Sequence, residues 1–272
     1  MAVIETHLVL TDLIDELPPL NDTVLRLVGL TQDPHATADD VAQLLMRDGV
    51  LTGELLAEAN SSVFASSSPA RSVSDAVVRL GLMRVVAIAT RLETARATHL
   101  LPDGVIDPRV IAMHHMHAVE AAVALGRRSS RIDRASAVTA AVLHDIGKLV
   151  LSKLYASTAI LEDPTLTIGD QAARIELEML DVNHGEVSRV VCEHWTIPDD
   201  IGEAIQHHHD PLGRGPLAAA TYLADVVAHL AAGDIDEDND FFMLVPPCLD
   251  ELGLSHSDFN AVLKETRRAI GA

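Results

Sequence analysis

The stretch Val142-Leu143-His144-Asp145-Ile146-Gly147-Lys148 constrains this chain more than any other. An apolar helix over residues 135–143 delivers a histidine and an aspartate side by side. A glycine two residues later breaks or bends it, and Leu149-Val150-Leu151 continues the apolar run. Neighbouring side chains on a helix diverge by about 100°. The pair therefore cannot both reach water from the middle of a buried helix without cost. An unpartnered buried carboxylate is expensive, so Asp145 needs a metal, a cation or several N–H donors. Further ligands must then come from elsewhere in the chain.

Composition points to helices. Apolar residues make up 48% of the 272 positions but aromatics only 3%, and Ala, Leu and Val dominate. Small side chains suit close helix packing, whereas strand-rich folds lean on aromatic and β-branched residues. The reading is all-α, with length enough for one large domain or two lobes. A formal net charge of −20 opposes phosphate backbones and anionic bilayers, so neither direct nucleic-acid binding nor a membrane partner is expected. Cys192 and Cys248 stand far apart and in no metal-ligand spacing. Together with an N-terminus that lacks a basic, then apolar leader, this suggests a cytoplasmic location. No apolar run is read as a membrane span.

Residues 1–104 read as an N-terminal lobe of short helices joined by tight turns. Its punctuation is Leu17-Pro18-Pro19-Leu20-Asn21, Asp33-Pro34, Asp48-Gly49 and Ser66-Ser67-Ser68-Pro69. Thr37 with Asp40 resembles a loose capping box, and Ser72-Val73-Ser74-Asp75 starts a helix. The lobe lacks a dense cluster of catalytic residue types, so its expected role is packing or recognition. Pro102-Asp103-Gly104 marks a junction, residues 105–232 form a second helical lobe, and 233–272 an acidic linker with a C-terminal helix.

In the second lobe, Ile111, His115, Ala118, Ala122 and Leu125 share a stripe at 3.6-residue spacing. The spacing turns His115 inward, His114 to the edge and His117 further round. A core histidine bonded to a backbone carbonyl is the plain alternative for His115. Pro164-Thr165-Leu166-Thr167 leads into a helix over 168–180 that carries Glu176 and Glu178. His207-His208-His209 ends another helix, where the rings can complement the macrodipole or form a solvated end. Asp225 lies in an apolar helix, but its stripe partners Ala218, Thr221, Tyr222 and His229 are small or polar, which leaves a solvated face open.

Histidines number 14, most of them between 114 and 229 on successive helices. Mixed imidazole and carboxylate ligands suit divalent Fe, Mn, Ni or Zn. A helical bundle can gather one or two ligands from each of several helices in its interior. Two such ions together polarise a phosphate and activate water.

His115, then His144-Asp145, then Asp225 resembles the H…HD…D signature of the HD superfamily of metal-dependent phosphohydrolases. The resemblance implies that these residues hold metal. His184, His208 and His209 resemble the additional ligands of binuclear members. Lys148 matches the HD-x-G-K pattern, in which the lysine faces the substrate phosphate. Asp145 and Lys148 are then the catalytic pair if the chain is an enzyme. The closer resemblance is to the HDOD branch, the HD-related output domain of bacterial signalling proteins. It is carried by Leu17-Pro18-Pro19-Leu20, Arg47-Asp48-Gly49-Val50-Leu51-Thr52, Ala76-Val77-Val78-Arg79-Leu80-Gly81, Leu143-His144-Asp145-Ile146-Gly147-Lys148-Leu149, His184-Gly185-Glu186-Val187 and Trp195-Thr196-Ile197-Pro198.

The resemblance implies a two-lobed helical bundle, with an HDOD-specific N-terminal lobe and an HD-like C-terminal lobe. It also implies a regulatory output module, able to hold metal, that acts by contact with a signalling protein partner. The alternative is a metal-dependent phosphohydrolase acting on a phosphate ester or nucleotide. After His209 the chain reads Asp210-Pro211-Leu212-Gly213-Arg214-Gly215-Pro216, without the Gly-Tyr-Pro segment of the cyclic-di-GMP phosphodiesterases. That argues against cyclic-di-GMP as substrate. With no receiver or messenger-synthesis domain in the chain, input is expected from a partner or a ligand.

Overall fold

Local punctuation explains where the helices begin. The computed structural model describes residues 10–15, 23–24, 26–27, 30, 35–46, 48–61, 64, 68–99, 108–155, 169–235 and 243–271, and every regular element among them is a helix. The turns expected at 17–21 and 102–104 and the lead-in at 164–167 lie outside the described residues.

Thr37 caps α1 (Ala38–Leu45) in a full capping box with Asp40. Asp48 accepts from the amides of Val50 and Leu51 at the start of α2 (Gly49–Ala59). Ser72 and Asp75 form the same reciprocal box on α3 (Val73–Leu80). Each such cap satisfies amides that a helix start leaves without partners. The apolar stripes of these helices converge on Leu45, Leu55 and Val77, with Val85, Val86 and Ile88 arriving from α4 (Leu82–His99). The N-terminal helices thus bury a core of their own.

The second core is larger. It gathers α5 (Pro108–Gly126), α6 (Arg134–Leu143), α7 (Ile146–Tyr155), α9 (His184–His194), α10 (Asp199–Gln206) and α11 (Pro216–Ala232), with α8 (Gly169–Leu180) against α9. Every residue of α11 from Ala218 to Ala231 is buried. It contacts α5, α6, α10, α12 (Val245–Leu252) and α13 (His256–Ile270). A helix apolar on all sides belongs in the interior. The solvated face left open for Asp225 is therefore corrected: the small residues beside it are there to let other helices approach.

The C-terminal segment holds more than the single helix expected. Pro246 and Pro247 fit the first turn of α12, where the missing amide costs nothing, and α13 is boxed by Ser255 and Asp258. Arg128 clamps α13 through Glu265, and Phe259 and Val262 fill the gap behind α5 and α11.

Contrary to the expectation from sequence, the run Arg134–Ser152 is long and apolar enough to cross a membrane; 94% of it is buried inside the protein, so packing accounts for its hydropathy. It is not one straight helix. α6 ends at Leu143, α7 begins at Ile146, and His144-Asp145 occupies the break. Ser188 of α9 holds the break: its hydroxyl donates to the His144 carbonyl at 2.8 Å and accepts from the Gly147 amide at 2.8 Å. Gly147 has no room for a side chain. A Cβ there would overlap the His184 carbonyl oxygen and lie 2.8 Å from the Ser188 nitrogen. Direct backbone contact between α7 and α9 results, and it brings His184 beside Asp145.

Two substitutions test this junction by denaturant unfolding. Ser188→Ala is expected to cost about 1–3 kcal/mol, because it leaves a buried amide and carbonyl without partners. Gly147→Ala is expected to cost at least about 2 kcal/mol by overpacking. Wild-type stability in both would show that the break is held by something else.

Candidate metal centre

Helix ends deliver the site residues. His144 and Asp145 sit in the α6–α7 break, His184 is the first residue of α9, and His208 and His209 follow the end of α10. His114 lies in α5, and Asp225 and His229 lie one turn apart in α11. Among the described residues, donor atoms of His184, His208 and His209 lie within 4.8 Å of one another. So do those of His114, His144 and Asp145, of His144, His208 and Asp225, and of His114, Asp225 and His229.

Asp145 stands between two sets of imidazoles. Its Oδ1 is 3.2 Å from His184 Nε2 and 3.8 Å from His208 Nε2. Its Oδ2 is 3.6 Å from His144 Nε2, 3.9 Å from His114 Nε2 and 2.7 Å from Lys148 Nζ. Asp225 Oδ1 lies 2.9 Å from His114 Nε2, 3.6 Å from His144 Nε2 and 3.4 Å from His229 Nε2.

The far side of each ring decides what these contacts mean. Nδ1 of His144 meets the Ala141 carbonyl at 3.0 Å, and Nδ1 of His208 meets the Ile205 carbonyl at 2.6 Å. Nδ1 of His184 meets Glu176 Oε2 at 2.6 Å, and Nδ1 of His229 meets Asp234 Oδ2 at 3.1 Å. These oxygens accept, so each Nδ1 donates and each ring turns its Nε2 to the interior. There the Nε2 atoms crowd together: His184 Nε2 is 2.8 Å from His209 Nε2 and 3.4 Å from His208 Nε2, and His114 and His144 Nε2 are 3.2 Å apart. Oδ1 of Asp145 and of Asp225 are buried and accept no aligned hydrogen bond. Imidazole nitrogens crowded around two such carboxylate oxygens in a buried space fit cations. The donors, imidazole nitrogen and carboxylate oxygen, are those of borderline divalent metals.

Charge follows burial. Burial pushes the His114 imidazole down to about 4, and the nearby His229 adds to the effect. Burial, then neighbouring imidazoles, hold His208 and His209 well below the ordinary histidine value. For Asp145, burial acts upward, but the Lys148 ammonium and His144 outweigh it and hold the carboxyl well below its usual range. Asp225 is treated alike: burial acts upward, and the close approach of His114 and His144 prevails. His144 moves the other way, because burial is outweighed by Asp145 and Asp225. Neutral imidazoles and ionised carboxylates are the forms a metal requires.

The expected site residues His144, Asp145, Lys148, His184, His208, His209 and Asp225 come together. His115 does not present a donor to these groups. It is buried, its ring centroid is 5.6 Å from that of His144, and neither ring nitrogen has a hydrogen-bond partner. His114, placed at the edge by spacing, is the residue that reaches Asp225. The cause is that α5 is covered on several sides, by α4, α6, α11 and α13, so the apolar stripe does not mark a single inward direction. Lys148, read as facing a substrate phosphate, is buried and paired with Asp145. Glu176, His229 and Asp234 were not foreseen. Asp225 and His229 at i, i+4 in the most apolar helix was a readable signal. Glu176 and Asp234 lie close in sequence to the rings they meet but outside the helices that carry those rings, so helical spacing does not reveal them.

The lowered histidines set an acid limit. A group with a depressed folded pKa lets the unfolded chain bind more protons, so stability falls as pH drops below the unfolded value. For His114 the window runs from 6.5 toward about 4, and His208 and His209 add to it. His144 acts in the opposite sense. Calorimetry of metal-free protein is expected to show Tm falling by about 5 °C or more between pH 7 and 5, less steeply in His209→Gln. A flat Tm would exclude buried neutral histidines.

The HDOD domain family model matches residues 17–211. An uncharacterized protein of Treponema pallidum (strain Nichols) is 22% identical over 233 residues, 83% of this chain but 44% of that protein. The chain thus spans less than half the length of that relative. An HDOD domain protein of unknown function from Geobacter sulfurreducens superimposes with a TM-score of 0.72 at 23% identity, covering 98% of each chain. A candidate phosphohydrolase from Shewanella amazonensis SB2B follows at 0.65 and 21%, covering 97% of each. A candidate signal transduction protein from Marinobacter aquaeolei VT8 gives 0.69 at 21%, covering 100% of this chain and 65% of that one. At such identities the structural likeness carries the fold alone. The family match runs over most of the sequence, and on it this chain belongs to the HDOD domain family.

Proposed function

We propose that this HDOD protein is a metal-dependent phosphohydrolase whose centre holds two divalent transition metal ions. One observation carries the reading: Asp145 turns one oxygen toward His184 and His208 and the other toward His114 and His144, while their Nε2 atoms face inward. His184, His208, His209 and Asp145 Oδ1 would hold one ion. His114, His144, Asp145 Oδ2 and Asp225 would hold the other. Two such ions, when bound, polarise a phosphate oxygen and make nearby water more acidic.

The chain's own groups have separate tasks. Glu176 and the carbonyls of Ala141 and Ile205 orient the rings. Lys148 balances Asp145 in the metal-free state. With that carboxylate neutralised by metal, the ammonium is free to turn toward a substrate phosphate, the role its HD-x-G-K position suggests. The name of the Shewanella relative supports the same chemistry.

A second reading keeps the metal but not the catalysis. Here the chain is a signalling module that works through a protein partner, with the ions fixing its fold. It draws support from the commitment of Lys148 to Asp145 and from exposed Met46, Val50 and Val78 on the N-terminal helices. The Marinobacter relative's name points the same way.

Metal analysis of untagged protein is expected to find at least two transition metal ions per chain. Asp145→Ala is expected to lose both and to lower phosphatase kcat/KM toward p-nitrophenyl phosphate about a thousandfold, or roughly 4 kcal/mol. Metal-loaded wild type that cleaves neither phosphomonoesters nor phosphodiesters would leave the contact module. Absence of metal after incubation with Mn, Fe, Ni and Zn would overturn both readings.

A further inference from the structure

The pair of ions centred on Asp145 leaves one buried ligand-type imidazole, that of His229, unused. His229 lies one turn beyond Asp225 in α11, is buried, and turns Nε2 to within 3.4 Å of Asp225 Oδ1. Its ring stacks 4.3 Å from that of His114, whose Nε2 is 2.9 Å from the same carboxylate oxygen. Donor atoms of His114, Asp225 and His229 all fall within 4.8 Å of one another.

The end of α11 is shaped to aim that ring. Gly233 takes up the left-handed conformation, φ 81°, that residues with a Cβ rarely adopt. The chain therefore turns back on itself, and the amides of Gly233 and Asp234 both donate to the His229 carbonyl, at 3.0 and 3.1 Å. Asp234 is thereby folded against the ring of its neighbour and accepts from Nδ1 at 3.1 Å. With Nδ1 donating to Asp234, the ring turns its Nε2 to the Asp225 carboxylate. A carboxylate behind an imidazole is also the arrangement that fixes and strengthens a metal-binding histidine.

We propose that His114, Asp225 and His229 form a third cation position, oriented by Asp234, on the side of the centre away from His184 and His209. It takes a divalent transition metal of the Mn, Fe or Zn kind, since two imidazoles and a carboxylate suit such ions and leave coordination positions for other ligands. A ring nitrogen serves one ion at a time. With His114 in the outer position, the inner one keeps His144, Asp145 Oδ2 and Asp225, in reach of His208. The inference rests on the metal-centre reading given above and extends it.

The test is metal stoichiometry on the full untagged chain. The protein is stripped with chelator, loaded with excess Zn(II) or Mn(II), desalted and measured by mass spectrometry. Three ions are expected in wild type and two in His229→Gln. His209→Gln is expected to disturb a different ion, so the double variant holds fewer than either single one. Asp234→Asn changes a part-exposed side chain and is not expected to disturb folding. It should weaken the third ion about 10- to 100-fold while the other two stay, which keeps the test decisive if His229→Gln proves unstable. Two ions in wild type, unchanged in His229→Gln and Asp234→Asn, would overturn the third position and leave the two-ion centre intact. No ions in any variant would overturn the metal-centre reading together with it.

Discussion

Asp145 carries a charge into an assembly of apolar helices, and much of the nearby structure exists to make that tolerable. A lone carboxylate there would cost several kcal/mol. It is surrounded instead by Lys148 and by imidazoles brought from α5, α6, α9 and α10. To admit it, the apolar run 134–152 is interrupted at His144-Asp145, and the freed backbone groups are returned to partners through Ser188. A side chain at Gly147 would push α9 away and His184 with it. The charge, the helix break and the close backbone contact are one device, and none of the three has a use without the others.

The two hydrophobic cores are not independent. α4 places Val85, Val86 and Ile88 in the N-terminal core and Ala87 in the other, and Met116 of α5 packs against both. Between them Arg84 is buried, its Nε donating to Glu120 of α5 at 2.6 Å and its guanidinium lying over Phe64 at 4.2 Å. α5 also carries His114. The helix that supplies a ligand-type residue therefore belongs to the seam between the two cores, which gives the N-terminal helices a physical connection to the centre.

Much of this was legible in the sequence, for reasons that are local. The all-α fold followed from a chain rich in Ala and Leu and poor in aromatics. The boxes at Thr37 and Ser72 were readable because a cap spans four residues. His144-Asp145 was readable because charge inside an apolar run demands a partner. What failed was nonlocal. A single apolar stripe cannot show which of His114 and His115 reaches Asp225 when α5 is covered on several sides. The small residues around Asp225 looked like a wet face because nothing along the chain shows how many helices surround α11. Glu176 and Asp234 meet their rings through turns at helix ends that an apolar stripe does not describe, and a break held by a serine from another helix leaves no trace in its own sequence.

The hydrogen bonds that orient His144 and His208 have a second identity. Each ring donates to the carbonyl three residues earlier, Ala141 or Ile205, in the last turn of α6 or α10, where the regular run of amide partners ends; the Ile205 carbonyl also accepts from the His208 amide at 3.3 Å. The same bond finishes the helix and sets the direction of the imidazole. Fraying of a terminal turn is ordinarily a small and silent motion at a helix end. Here it swings a donor nitrogen away from the centre, and a ring drawn firmly into the centre in turn holds its helix wound to the last residue. Secondary structure and donor geometry thus share one set of bonds, so the ends of α6 and α10 register the state of the interior on the backbone itself.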